Sequence, residues 1–232
     1  MGPNHAERMG KDWDRLARSD ALASIDPSLG SGVDEAAFVA VGAAHVEWLM
    51  TWVGDAVGRE RALEIGCGIG RSTVHLADHF ARVDGVDVSA EMVRRARARG
   101  LPGNVTLTVT SGRDLRPFPD ASFDFVLSHL VLQHVADEAV LSEILTEVAR
   151  VLLPDARAML QFDTRGHRPL AAVVGVLPDA LLPAKRRRAA RRYPRTSTRV
   201  RELVAAAGLA IEREEGAGSA EHLLLLRPGR PG

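Results

Sequence analysis

The sequence has little that indicates an oxidising environment, a metal centre or a strongly charged surface. It contains one cysteine, Cys67, so an intrachain disulfide is excluded and a reducing cytoplasm is the expected location. One cysteine and scattered histidines do not form a closed zinc site, and we expect no metal. Basic and acidic residues number 30 each, so the net charge gives no reason to expect a nucleic-acid or membrane partner.

We also find no targeting signal and no membrane-spanning signal in the amino-acid sequence. The N-terminus lacks the basic-then-apolar layout of a signal peptide, and we find no apolar run that approaches the length of a membrane span. We therefore expect no membrane association. The length of 232 residues suits one α/β domain with an N-terminal extension.

What the sequence does contain is a glycine-rich loop between a short apolar run and a helical pattern. The run at 62–65, Ala-Leu-Glu-Ile, predicts a buried strand, and Gly66, Gly68 and Gly70 follow it. Glycines let the backbone turn sharply and let a ligand approach closely. A strand, a glycine loop and a helix form the first unit of a Rossmann-like fold. Because Arg71 stands where Gly-x-Gly-x-x-Gly needs its last glycine, a dinucleotide-binding oxidoreductase is the less favoured alternative.

Two further motifs follow the glycine loop in order. Residues 82–92, Arg-Val-Asp-Gly-Val-Asp-Val-Ser-Ala-Glu-Met, place Asp87 at the end of a second strand and Ser89 where it would cap the next helix. Residues 117–126, Pro-Phe-Pro-Asp-Ala-Ser-Phe-Asp-Phe-Val, lead into a fourth strand. Together these motifs resemble those of class I S-adenosylmethionine-dependent methyltransferases. Within that family the chain is similar to the small-molecule and sugar O-methyltransferases. The resemblance covers about residues 61–163.

Strand and helix patterns alternate along the chain, which predicts an α/β fold with a Rossmann-like, doubly wound, mostly parallel sheet. The last two strands, at 211–215 and 220–226, are expected to form an antiparallel hairpin at the C-terminal edge. Residues 1–57 are interpreted as an N-terminal helical extension or cap. Residues 58–232 are interpreted as the methyltransferase domain, with an inserted lid at about 165–195. Other expected elements are helices at 74–80 and 137–153 and a fifth strand at 158–162.

The N-terminal extension carries all three tryptophans. We expect a frayed start to about residue 12, a short helical patch with Trp13, and a longer helix at 34–57. This longer helix either closes over the cofactor cleft or covers a sheet edge with Trp48 and Trp52 in its core, and the second interpretation is favoured. For Trp13 both interpretations stay open.

The resemblance implies S-adenosyl-L-methionine as the cofactor and S-adenosyl-L-homocysteine as its product. The glycine loop and Glu64 would meet the amino-acid half, Asp87 would accept the ribose hydroxyls, and Val88 and Met92 would face the adenine. Many relatives carry Gly-Asp where Thr110-Ser111 stands here, so that acid is absent. We expect the amine of the adenine to be held by Asp114 or by a backbone group. The implied cofactor residues are Glu64, Gly66, Cys67, Gly68, Gly70, Arg71, Asp87, Val88, Met92, Gly112, Arg113, Asp114 and Ser128.

Three residues are candidates for catalysis. His134 lies in Leu-Gln-His-Val at 132–135, which is similar to the segment that supplies a histidine base in small-molecule and sugar O-methyltransferases of this class. The alternative for His134 is a structural histidine that caps the next helix. Asp163, at the end of the fifth strand, matches an acidic position in the same enzymes, and His129 is a less favoured base.

The expected function is methyl transfer to a small-molecule acceptor, with a hydroxyl of a secondary-metabolite or sugar-type substrate favoured. A small-molecule N-methyltransferase and a nucleic-acid or protein methyltransferase are the alternatives. Nucleic acid is unlikely to be the substrate, since the chain has no recognisable RNA-binding module and no net positive charge. The basic run at 185–195 would allow a carrier protein as partner, although such runs are usually solvated. The oligomeric state stays open.

Overall fold

The computed structural model describes residues 5–25, 35–55, 57–166 and 191–229. The helices are α1 (His5–Ile25), α2 (Glu35–Val53), α3 (Thr73–Leu76), α4 (Ala90–Ala98), α5 (Glu138–Val151) and α6 (Ser197–Ala206). The strands are β1 (Arg61–Ile65), β2 (Arg82–Asp87), β3 (Val105–Val109), β4 (Phe123–Ser128), β5 (Leu152–Phe162), β6 (Leu209–Glu215) and β7 (His222–Pro228).

The strands form one seven-stranded sheet in the order β3-β2-β1-β4-β5-β7-β6. The pairs from β3 to β5 are parallel, and β7 runs antiparallel between β5 and β6. The predicted fold class, with its antiparallel C-terminal edge, is confirmed. Strand order reverses between β1 and β4, and ligands of open α/β sheets bind beyond the carboxyl ends of the strands at such a point.

Both faces of the sheet are buried, as the near-continuous apolar sequence of β4 requires. On one face Leu141 and Leu145 of α5 and Val200 of α6 join the core of β4 and β5. On the other face Leu49 and Trp52 of α2 cover β1 and β4. The indole Nε1–H of Trp52 also donates to the carboxylate of Glu215 on β6, at 2.7 Å, which fixes the end of α2 on the sheet.

Several predicted boundaries are wrong. α1 is one continuous helix from residue 5 to 25 instead of a short patch after a frayed start. The helix expected at 74–80 ends at Leu76, and its remainder consists of turns, in which Leu76 O accepts the N–H groups of both His79 and Phe80. β5 begins at Leu152, six residues earlier than expected, because Leu152 pairs with Phe123 beyond an irregularity in the ladder.

α2 corrects two expectations. It is a 19-residue helix that is long and apolar enough to span a membrane, so the statement that no apolar run approaches that length is wrong. The core helix of a soluble protein meets the same test, and seven residues of α2 are buried, among them Phe38 and Val46. Trp52 lies in the core as expected, but Trp48 is 46% exposed, because it lies outside the margin of the buried stripe of α2, where it stacks on His45.

The inserted lid predicted at about 165–195 lies mostly outside the described residues. Its two ends are described, and both lie at the carboxyl edge of the sheet. Arg165 follows β5 and pairs with Asp163, and the backbone N–H of Arg195 donates to Asp163 O at 3.1 Å. Most of the basic run at 185–195 lies in the part of the chain that the structure leaves undescribed.

Candidate functional site

The glycine loop leaves β1 at the point where the strand order reverses. Gly66, Gly68 and Gly70 have φ angles of +78°, +54° and +87°, which side chains other than glycine rarely adopt. A Cβ at Gly66 would stand 2.3 Å from a methyl group of Val131. The glycines are therefore required both by the backbone conformation and, at Gly66, by the neighbouring loop after β4.

Asp87 ends β2 directly beside this loop. One carboxylate oxygen accepts the N–H of Gly68 at 2.9 Å and the other accepts the N–H of Ser89 at 2.8 Å. Burial raises the pKa of Asp87, and these N–H donors act against the shift. A carboxylate has about four acceptor positions, so both oxygens still have capacity for hydroxyl donors. The carboxylate and the adjacent glycine loop fit a ribose diol.

Glu64 lies at the buried carboxyl end of β1. Its carboxylate accepts the hydroxyl of Thr73, and the buried Arg71 stands close enough to influence it. Burial raises the pKa of Glu64 to about 7, while the Thr73 hydrogen bond and the charge of Arg71 oppose the shift. A carboxyl group with this pKa changes charge near neutral pH, so a cationic ligand group beside it would favour its ionised form.

The side expected to hold adenine is formed by the ends of β2 and β3. A Cβ at Gly112 would lie 2.9 Å from Val88 Cγ2 and 3.2 Å from Met9 Cε, so Met9 of α1 closes this side. The hydroxyl of Ser111 donates to Asp114 at 2.9 Å. Arg113 pairs with Glu143 of α5 through contacts of 2.7 and 2.6 Å, which directs its guanidinium to that helix.

Three other predicted cofactor residues have buried side chains. Cys67 lies in a small cluster with Val93 and Leu107, and burial raises the pKa of its thiol well above the ordinary value. Met92 lies under α1 and α2, and the hydroxyl of Ser128 donates to Ile65 O at 3.2 Å. These positions contribute to the shape of the site through backbone and packing.

The three candidate catalytic residues come together at the carboxyl ends of β4 and β5. His134 lies in a 3₁₀ turn, Leu132–His134. Its Nδ1 is 2.9 Å from Arg191 O, and because a carbonyl only accepts, Nδ1 carries the proton. Its Nε2 lies 3.2 Å from the side-chain amide nitrogen of Gln133, which donates to it. Burial lowers the pKa of His134 to about 4, so the ring is neutral with both nitrogens engaged.

Asp163 and His129 both lie near cationic groups. The Asp163 carboxylate is buried and pairs with Arg165, at 3.0 and 2.5 Å, while Arg192 approaches to 3.7 Å. The His129 ring lies 4.3 Å from the ring of His45 on α2. Burial, followed by the effects of His45, Arg71 and Arg192, lowers the pKa of His129 well below its ordinary value. His129 is therefore neutral and stands among cationic groups.

A glutamine pair that the sequence interpretation missed holds this end of the site. Gln161 of β5 is fully buried, and its amide oxygen accepts the N–H of Leu130 at 2.9 Å. Its amide nitrogen donates to Ala220 O, Phe162 O and the amide oxygen of Gln133, at 2.7, 2.9 and 3.3 Å. Leu130 has a φ of +62°, so the network holds a strained turn between His129 and His134.

α1 lies across the whole edge and was not expected there as one helix. Asp14 accepts the hydroxyl of Ser89 at 2.6 Å and the N–H of Glu91 at 3.0 Å, so it caps α4 beside Asp87. Trp13 contacts the His134 ring edge-to-face, with centroids 5.3 Å apart. α1 therefore covers both the cofactor side and the acceptor side of the site.

This fold, with a glycine loop and a carboxylate at the point where the strand order reverses, is typical of α/β domains that bind a nucleotide cofactor. Residues 63–160 match the family model described as a methyltransferase domain. The demethylmenaquinone methyltransferase of Tropheryma whipplei (strain Twist) is 39% identical over 102 residues, which are 44% of this chain and 41% of that protein. The ubiquinone biosynthesis O-methyltransferase of Xanthomonas oryzae pv. oryzae is 33% identical over 119 residues, 50% of this chain and 48% of that protein.

The solved structures agree with the family match on the fold. The magnesium protoporphyrin IX methyltransferase of Synechocystis PCC 6803, solved with bound S-adenosylmethionine, superposes with a TM-score of 0.64 at 18% identity and covers 99% of this chain and 100% of its own. The chain spans about half or less of the length of the curated relatives described above. These matches support a class I S-adenosylmethionine-dependent methyltransferase domain within residues 63–160.

Proposed function

We propose that the chain transfers a methyl group from S-adenosylmethionine to a hydroxyl of a small molecule of secondary-metabolite or sugar type. The observation that carries the proposal is the cluster of polar side chains at the ends of β4 and β5. His129, His134 and Asp163 lie in this cluster, and Trp13 of α1 contacts His134. A polar cluster covered by α1 suits a small acceptor better than a polymer.

The cofactor residues divide between two ends of the site. When bound, the cofactor supplies an activated methyl group on a sulfonium, so the protein chiefly has to orient the acceptor, which contributes roughly 7–11 kcal/mol in favourable cases. Asp87 would accept the ribose hydroxyls beside the N–H groups that it already holds. Glu64 would face the cationic amino-acid half, and the backbone of the glycine loop would admit it closely.

The role of His134 stays a prediction, and its geometry favours orientation over proton abstraction. Both ring nitrogens are engaged, and a pKa of about 4 makes the ring a weak base at neutral pH. Through its contact with Arg191 O, His134 ties the backbone of Arg191 to the turn after β4. Asp163 would act by holding Arg165 and Arg192 at the ends of β4 and β5.

An N-methyltransferase acting on a small molecule is the second candidate. Transfer to a neutral amine needs no base, which agrees with the engaged state of His134. Curated relatives include both O-methyltransferases and N-methyltransferases. The chemistry of the acceptor therefore has to be measured.

A methyl-transfer screen tests the proposal. Purified protein is incubated with S-adenosylmethionine and matched hydroxyl and amine forms of small aromatic and sugar-like compounds, and S-adenosylhomocysteine is quantified. We expect acceptor-dependent product with hydroxyl compounds and none with their methyl ethers. The Asp87→Ala variant is the control for cofactor-dependent turnover. Product formed only from amines would favour the second candidate and contradict the first.

A further inference from the structure

The acceptor end of the site carries more positive than negative charge. Asp163 is the carboxylate between two arginines, and Arg165 already satisfies both of its oxygens. Arg192 stands 3.7 Å from the same carboxylate, and its side chain is 31% exposed. Its ion pair with Asp163 is therefore a weak one. A partly buried cation in this state favours a further anion beside it.

His129 lies close enough to Arg192 for the charge to act on its ring, and it is incompletely satisfied. Its Nδ1 is buried and has no hydrogen-bond partner among the described residues. Burial lowers the pKa of His129, and Arg192 contributes to the shift, so the ring is neutral at physiological pH. A neutral imidazole donates from one nitrogen. With the proton on Nδ1, His129 can donate a hydrogen bond to an anion that lies near the guanidinium of Arg192.

This cluster of side chains is at the same time poor in proton acceptors. His134 uses both nitrogens, and His129 is a weak base for the same reason that it is neutral. The Asp163 carboxylate is occupied by Arg165. A neutral acceptor hydroxyl would therefore have only weak bases to take its proton, whereas an acceptor that is already ionised needs no base.

We infer that the acceptor binds as an oxyanion, the conjugate base of an acidic hydroxyl such as a phenol, enol or carboxylic acid, held by Arg192 and by His129 Nδ1. The inference rests on the proposed function and names the substrate class of the same site. In the transfer, an oxygen lone pair of the oxyanion forms the new O–CH₃ bond while the C–S bond breaks. The bonding pair goes to sulfur, which becomes a neutral thioether, and no proton has to leave.

Binding of a matched pair of probes tests the inference. Benzoate and benzyl alcohol have the same ring, and only benzoate carries an oxyanion. Calorimetry with protein saturated with S-adenosylhomocysteine should show benzoate binding about tenfold or more tightly than benzyl alcohol, which is the effect of one charge-assisted hydrogen bond. Arg192→Gln should remove most of this preference, and Arg192→Lys should retain part of it.

Arg199→Gln is the matched control, because it removes one positive charge at an exposed ion pair with Glu138 and Glu202. It should leave the preference for benzoate unchanged. Cofactor affinity of each variant, measured in the same instrument, shows that the domain is folded. Equal binding of the two probes by the wild-type protein, or an unchanged preference in a folded Arg192→Gln variant, would overturn the inference.

The outcomes separate this inference from the proposed function. If methyl transfer occurs only to neutral alcohols, the domain is an O-methyltransferase and the oxyanion inference is wrong. If benzoate binds through Arg192 but no hydroxyl compound is methylated, the anion site stands and the proposed reaction is wrong. With an acidic acceptor from the screen, Arg192→Gln should raise KM by about tenfold while cofactor affinity stays constant.

Discussion

The replacement of Gln161 by leucine is the perturbation for which the structure gives the clearest magnitude. Leucine has nearly the same size but removes hydrogen bonds to four partners: one accepted from Leu130 N, and those that the two amide N–H groups share among Ala220 O, Phe162 O and Gln133. Each is worth about 1 kcal/mol net, and since they share one amide the losses will not add fully. We expect unfolding free energy to fall by about 2–4 kcal/mol.

This loss would be a large share of the roughly 5–15 kcal/mol that stabilises a typical domain. Urea unfolding followed by circular dichroism measures it. Gln133→Leu is the control, because two of the three side-chain bonds that it removes are 3.3 and 3.4 Å long and therefore weak. Its expected loss is about 1 kcal/mol. If Gln161→Leu costs no more than the control, the network does not hold the turn after β4.

Gln161→Leu should also lower turnover beyond the loss of folded protein. The strained conformation of Leu130 persists only while the surrounding contacts fix it. Without them, the turn that carries His129 and His134 relaxes, and the acceptor end of the site loses its geometry. Turnover is measured in conditions where the variant is fully folded, with cofactor affinity as the reference that should change least.

Three further predictions concern single side chains. Asp87→Ala should weaken cofactor binding about tenfold or more, as measured by calorimetry, because hydrogen bonds to a carboxylate are lost; unchanged affinity would contradict the ribose assignment. The pKa of Glu64 is about 7 in the folded state, compared with the ordinary value of 4.5, so the folded state binds more protons between these two pH values. Stability should therefore fall by on the order of 3 kcal/mol as the pH rises through this range, and thermal unfolding of Glu64→Gln, measured against pH, should lack this slope. His134→Ala should lower turnover on a neutral hydroxyl acceptor by about 10² or more only if the histidine is a base; if steady-state rates on that acceptor stay within about tenfold, its role is structural.

The sheet could be predicted because its strands are local patterns with strong signals. The fourth strand follows the motif at 117–126 as expected, since its mostly apolar sequence, Phe-Asp-Phe-Val-Leu-Ser, is typical of a strand buried in a parallel sheet. Asp87 ends β2 as expected, because its motif fixes the strand end and the helix cap together. The side chain of Ser89 indeed accepts the N–H of Met92, at 3.1 Å.

The acceptor end could be predicted only in part, since it depends on contacts between distant segments. The chain has two glutamines, Gln133 and Gln161, and nothing in their neighbouring residues shows that they meet. The ion pair of Arg113 with Glu143 and the exposure of Trp48 likewise follow from which face of a helix meets the sheet. A sequence pattern gives the period of a helix but leaves its rotation to tertiary packing.

α1 shows how one unpredicted contact links the two ends of the site. Trp13 and Asp14 are neighbours in the helix and point about 100° apart. Trp13 contacts His134 at the acceptor end, and Asp14 caps α4 beside Asp87 at the cofactor end. Because a helix moves as a rigid body over this distance, any displacement of α1 changes both ends at once. The N-terminal extension is therefore an integral wall of the site, and substitutions in this turn of α1 should affect cofactor affinity and turnover together.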